Sequence, residues 1–199
     1  MRDPADRDYS AFLHTRRSGR EPLSDFREAL RAEEGRIRQN GHHPYPYKAR
    51  GLFHEQLLRY HEAFGLHNVR VYLYENLSRD PAKVTQDICR FLDVDGSFVP
   101  DASVMYNASG VPRNRVVSAL VKKFRAVVPA LKRAMPYGVR QKVKGRVFAK
   151  PPPMSEEARG ELVEYFREDA TRLQAVIGYD LSGWLAPSAR DAAGRPDPS

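Results

Sequence analysis

Cysteine is nearly absent from the 199-residue chain, which has only Cys89. One thiol excludes an intrachain disulfide framework and a multi-cysteine zinc site. The reading that goes with it is a cytoplasmic protein. Long apolar runs are also missing. No stretch approaches the ~20 consecutive apolar residues that cross a bilayer. Residues Met1 to Arg7 lack the apolar core of a signal peptide. Neither Gly-x-x-x-x-Gly-Lys-[Ser/Thr] nor Gly-x-Gly-x-x-Gly occurs, so neither glycine-rich phosphate loop is written in the sequence. Acid is missing from one region: between Arg113 and Lys150 there are twelve Lys/Arg and no Asp or Glu. That segment carries +12 against a chain total of +8, so the remainder is net acidic.

What is present suffices for a core. Hydrophobic residues are 41% and charged residues 29% of the chain, which argues against wholesale disorder. The length fits one domain, placed here at residues 1–185. Residues 186–199 have no apolar periodicity and read as a disordered tail. The basic segment has apolar residues at helical spacing, from Val116 to Val128, with Lys122, Lys123 and Arg125 mostly on the other side. It reads equally as a solvated helical face and as an anion-binding surface.

Six helices are predicted. The first runs from about Pro4 to Arg17 with Tyr9, Phe12 and Leu13 inward. A second is capped by Ser24 and buries Phe26, Ala29, Leu30 and Ile37. In the third, Phe53, Leu57, Tyr60 and Phe64 share a face and Gly65 stops the helix. Asp80-Pro81 is an N-cap followed by proline at the first helical position, with Val84, Ile88, Phe91 and Leu92 facing in. The basic stretch is helical, broken at Pro129 and Pro136. Ser155 caps a long last helix with Glu156 and Glu157 in its first turn, an apolar stripe at Leu162, Phe166, Leu173 and Ile177, and a stop at Gly178. Val99 to Pro112 reads as loop, and Lys150 to Pro153 as a rigid connector.

One strand is predicted, Val69 to Tyr74, apolar on both faces as in a parallel sheet. A lone strand leaves backbone groups unpaired on both edges. Either further strands escape the pattern, or another part of a sheet supplies them.

The chemistry-bearing segments are few. In Arg2-Asp3-Pro4-Ala5-Asp6-Arg7-Asp8-Tyr9-Ser10, a guanidinium precedes a proline-initiated helix and a hydroxyl follows about two turns in. The two can converge on one anion, with Asp6 and Asp8 placed to orient Arg7. His42 and His43 lie in a Pro/Tyr-rich loop with no nearby acidic or cysteine partner, so no metal is assigned. Cys89 reads as a packing residue and Trp184 as a packing anchor. On spacing alone, the Arg2–Ser10 element is also read as an ordinary helix start.

Four segments in order carry a family resemblance: Arg2 to Ser10; Tyr74-Glu75-Asn76-Leu77 with Asp80-Pro81 opening a helix that closes on Phe91-Leu92-Asp93-Val94; Asn107 through Arg113; and Leu173 through Trp184. Together, over about residues 1–185, the chain resembles the sulfotransferases that use 3′-phosphoadenosine 5′-phosphosulfate (PAPS), in their bacterial and heparan-sulfate-type branches. The resemblance implies an α/β fold with a P-loop-like phosphate site, of which this chain is the C-terminal part, mostly helical with few strands. It implies that Arg2 and Ser10 hold the 3′-phosphate of PAPS or of adenosine 3′,5′-bisphosphate. It places Asn107, Ser109, Gly110 and Arg113 in a loop folding over the nucleotide, and residues from the His42–His43 loop through Phe53 near the acceptor. Asp93 stands where the family usually has glycine.

In such enzymes a strand, a phosphate loop with a lysine, and a His or Glu base precede the Arg-x-Pro element. This chain starts at that element, and no catalytic residue is assigned in it. The expectation is a sulfotransferase acting on a hydroxyl or amine of a small molecule or glycan, inactive as this chain alone, with a possible partner chain completing the sheet. No specific nucleic acid is expected. The competing reading is a non-enzymatic basic module for nucleic acid or acidic polysaccharide, resting on the +12 segment. Its aromatics are too sparse for a single-strand stacking platform.

Overall fold

The computed structural model describes residues 1–40, 46–100, 111–112, 148–149 and 151–186. The elements among them are α1 (Pro4–Arg17), α2 (Phe26–Asn40), a 3₁₀ turn (Lys48–Gly51), α3 (Phe53–Phe64), α4 (Tyr74–Arg79), α5 (Pro81–Phe91), β1 (Val111–Pro112), β2 (Phe148–Ala149) and α6 (Glu156–Ile177). Short 3₁₀ turns follow α3 and α6.

Helix ends follow local chemistry in most cases. Asp3 caps α1, its carboxylate accepting from the N–H groups of Ala5 and Asp6, with Pro4 at the first helical position. Asp80 caps α5 through the Lys83 N–H, again followed by proline. Ser155 caps α6 through the Ala158 N–H, and Gly178 ends it at φ 68°. α3 is different. Leu52 at its N-cap has no side-chain oxygen to offer, and Asp169 of α6 accepts from the Phe53 and His54 N–H groups at 2.8 and 3.1 Å. That cap is tertiary, joining residues more than a hundred positions apart.

α6 is the spine of two cores. Toward its N-terminal half, Ala158, Leu162 and Phe166 pack with Ala5, Phe12, Leu13, Phe26, Ala29, Leu30 and Tyr47. Two turns further on, Leu173 packs with Leu57, Leu73, Leu181 and Trp184. Gly51 lies against Phe166 so closely that a Cβ there would sit 2.6 Å from Phe166 Cζ. Buried polar groups tie the first core together. Tyr47 Oη donates to Glu21 at 2.8 Å and lies 2.9 Å from Thr15 Oγ1, while Glu21 takes both terminal nitrogens of Arg36.

Several sequence expectations are corrected. Asp25, not Ser24, caps α2, its Oδ1 accepting from the Glu28 N–H at 2.9 Å. Ile37 is exposed rather than part of the inner face. On α3 only Leu57 is buried; Tyr60 and Phe64 are 58% and 59% exposed. Phe91 and Leu92 are likewise exposed, so α5 buries Val84 and only part of Ile88. Val69 to Leu73 is extended but belongs to no sheet among the described residues, and Tyr74 starts α4 instead of ending the strand. Only Leu73 of the segment is buried, and Arg70 is exposed. The common reason is that periodicity reports which face is apolar, while burial requires a neighbour to cover it.

The described sheet is small and falls where no strand was expected. Val111–Pro112 pairs antiparallel with Phe148–Ala149, Val111 opposite Ala149. β1 lies alongside α1. Residues 113–147 between these strands, which hold most of the basic segment, lie outside the described residues, as do His42, His43 and the tail from 187. No helix among the described residues is long and apolar enough to cross a membrane.

Candidate functional site

The start of the chain meets the extended segment. The Met1 main-chain nitrogen donates to the Tyr72 carbonyl, and the Tyr74 N–H donates to the Met1 carbonyl at 2.6 Å. That pattern is a parallel pairing of Met1 with Leu73. It brings Arg2 beside Tyr74, with the guanidinium carbon 5.0 Å from the ring centroid. This cation–π contact fixes the arginine while using none of its N–H donors.

Ser10 lies two turns into α1. Asp6, Arg7, His14 and Arg17 occupy the same helical face by spacing. The motif's other charges are spent internally. Asp3 and Asp6 bind Arg159 of α6 at 2.9 and 3.1 Å. Arg7 pairs with Asp8 and donates to the Tyr47 carbonyl at 3.0 Å. So Asp8 orients Arg7 as the sequence suggests, whereas Asp6 turns to Arg159. Among the described residues, the Arg2 guanidinium and the Ser10 hydroxyl have no hydrogen-bond partner. Both side chains are half-buried. At the far end of this face, burial and the neighbouring Arg17 and Arg20 hold the His14 imidazolium below its usual pKa.

Asn107, Ser109, Gly110 and Arg113 lie outside the described residues. Val111–Pro112, the described dipeptide of that segment, is β1 next to α1. Tyr47 is buried with its hydroxyl bound to Glu21 and Thr15, so it supports the core instead of lining an open cleft. Cys89 is half-buried in α5.

Three features escaped the sequence. Trp184 is a packing anchor as expected, but its Nε1 also donates to Glu75 at 3.1 Å. Asp93 has φ 54°, the left-handed conformation that glycine adopts freely. It sits at the end of α5, where the Val94 N–H reaches the Cys89 carbonyl and the Asp93 N–H the Arg90 carbonyl. This is the Schellman arrangement that favours glycine, and the Asp at the helix end was the available signal. Asp8 is fully buried, with Oδ2 lacking a hydrogen-bond partner among the described residues. Burial, then the Glu33 and Asp3 carboxylates, push it up to about 8 against the pull of Arg7.

Helices packed on a long C-terminal spine, an Arg-x-Pro turn opening into α1 and a single parallel main-chain pairing of Met1 with Leu73 accord with part of an α/β, P-loop-like sulfotransferase fold. The sulfotransferase domain model matches residues 1–173, and the chain belongs to that family. The crystal structure of a sulfotransferase from Alicyclobacillus acidocaldarius is similar at a TM-score of 0.65 and 34% identity, over 94% of this chain and 56% of that one. The chain thus spans little more than half the length of that solved relative. No curated protein matches it.

Proposed function

We propose that this chain is the part of a PAPS-dependent sulfotransferase that grips the 3′-phosphate of the nucleotide, with Arg2 and Ser10 as the phosphate ligands. The observation that carries the reading is the pair of polar groups left without hydrogen-bond partners among the described residues in an otherwise internally paired motif. Arg2 offers a charged fork of donors and Ser10 a hydroxyl, which is the donor set a phosphate dianion takes. PAPS, when bound, supplies the activated sulfuryl group. The protein's own part is to hold the nucleotide so that donor and acceptor lie in line. Asn107, Ser109, Gly110 and Arg113 are proposed to close over the nucleotide on the strength of the family resemblance alone. The acceptor is a hydroxyl or amine of a small molecule or glycan.

The sequence has no glycine-rich loop with its lysine to stabilise charge on the leaving phosphate. Losing one such oxyanion donor costs ~10²–10³ in rate. The 199 residues alone are therefore proposed to bind the nucleotide without transferring sulfate. Sulfate transfer by the purified chain to any acceptor would refute that.

Calorimetric titration with adenosine 3′,5′-bisphosphate tests the site. Arg2→Ala should weaken binding about ten- to hundredfold, and Ser10→Ala about tenfold. Binding unchanged by both substitutions, or absent from the unsubstituted chain, rejects the assignment. The basic-module reading rests on the +12 segment. It predicts steep loss of polyanion binding with salt and no dependence on Arg2.

A further inference from the structure

Arg159 stands close to the N-terminus of α6, where the helix dipole disfavours a cation. α1 accounts for it instead. Nη2 donates to Asp3 Oδ2 at 2.9 Å, Nη1 to Asp6 Oδ1 at 3.1 Å, and Nε to the Ala186 carbonyl at 3.4 Å. Arg159 and Asp3 are both buried. Each guanidinium nitrogen therefore has a protein acceptor. Asp3 divides its carboxylate between two tasks. Oδ1 caps α1 through the Ala5 and Asp6 N–H groups, and Oδ2 takes Arg159. The two acids bracket the first turn of α1, so a planar fork that binds both fixes that turn against α6.

Arg2 is the residue immediately before this cap. Its guanidinium is held on one side by the Tyr74 ring. The direction in which its side chain leaves the helix follows from the backbone at Asp3, and that backbone is fixed by the cap. We propose that Arg159 is a positioning residue of the phosphate site: it locks the Asp3 cap and so aims Arg2 at the 3′-phosphate, without touching the nucleotide. The inference rests on the reading of Arg2 as a phosphate ligand. Ser10, two turns further along α1, lies beyond the bracketed turn.

The test is calorimetric titration of adenosine 3′,5′-bisphosphate into the 199-residue chain and its variants, each first shown to be folded by urea denaturation. Arg159→Lys keeps the positive charge and loses the fork. Asp3→Asn keeps a capping oxygen and loses the negative charge, and it carries the test where Arg159→Lys does not fold. Each should weaken binding about tenfold. A role through charge alone predicts otherwise: no change for Arg159→Lys, and tighter binding of the anion for Asp3→Asn. Both substitutions are repeated in an Arg2→Ala background. There each should change affinity by less than about twofold, because a residue that acts through Arg2 has nothing left to aim. A role confined to general stability would instead keep the full loss in that background. Unchanged binding by Arg159→Lys, tighter binding by Asp3→Asn, or a tenfold loss that persists without Arg2 overturns the proposal. If Arg2→Ala weakens binding while Arg159→Lys does not, the positioning role falls and the phosphate site stands. If Arg2→Ala itself has no effect, both fall.

Discussion

Replacing Asp8 by asparagine should stabilise the chain, and the gain should depend on pH. The Asp8 side chain is fully buried, its Oδ1 held by Arg7 and its Oδ2 without a hydrogen-bond partner among the described residues. Burial, Glu33 and Asp3 raise its pKa from 3.8 to about 8, against the pull of Arg7. In the unfolded chain the same carboxyl titrates near its ordinary value. Between about pH 4 and pH 8 the unfolded state has lost the proton while the folded state keeps it. Stability therefore falls as pH rises through that window, by up to about 1.4 kcal/mol per unit, and the contribution levels off above it. By pH 7 the wild-type chain has given up about 4 kcal/mol that an asparagine would retain. Urea denaturation at pH 5, 7 and 9 of both proteins measures this. The gap in favour of Asp8→Asn should widen from pH 5 to pH 7 and again, more weakly, to pH 9. A gap independent of pH, or one that closes as pH rises, would refute the reasoning and mean that the Arg7 pair keeps Asp8 ionised.

Three further substitutions test packing and backbone. Asp93→Gly should raise stability by about 0.5–1 kcal/mol, because φ 54° strains any residue with a Cβ; an unchanged urea midpoint would count against the Schellman assignment. Arg159→Leu should cost about 3–5 kcal/mol, since it withdraws the guanidinium that neutralises the buried Asp3 and braces Asp6. Gly51→Ala should cost about 1–3 kcal/mol, because its methyl would overlap the Phe166 ring, and a shift in near-ultraviolet circular dichroism should accompany the loss.

Local chemistry was legible in the sequence. Pro4 and the Asp80-Pro81 pair start helices, Ser155 starts another, and Gly65 and Gly178 stop two, because each supplies a backbone conformation or a cap by itself. The inward positions of α1 and α6 also followed from spacing, since both helices lie in the core against several partners. The candidate phosphate pair was readable as a motif, Arg2 before the helix and Ser10 two turns inside it.

Tertiary structure decided what a single element cannot specify. Asp169 caps α3 from another helix, and Arg159 gathers Asp3 and Asp6 from across the core. Whether Arg2 and Ser10 are free for a ligand depended on where Arg7, Asp6 and Asp3 found partners. The apolar faces of α3 and α5 were written in the sequence, yet Tyr60, Phe64 and Leu92 stay in solvent. Likewise Val69 to Leu73 has a strand's composition and extended backbone, but composition cannot supply the second strand. Propensity is a property of one segment; burial and sheet pairing are properties of two, and only the folded chain shows which pairs are made.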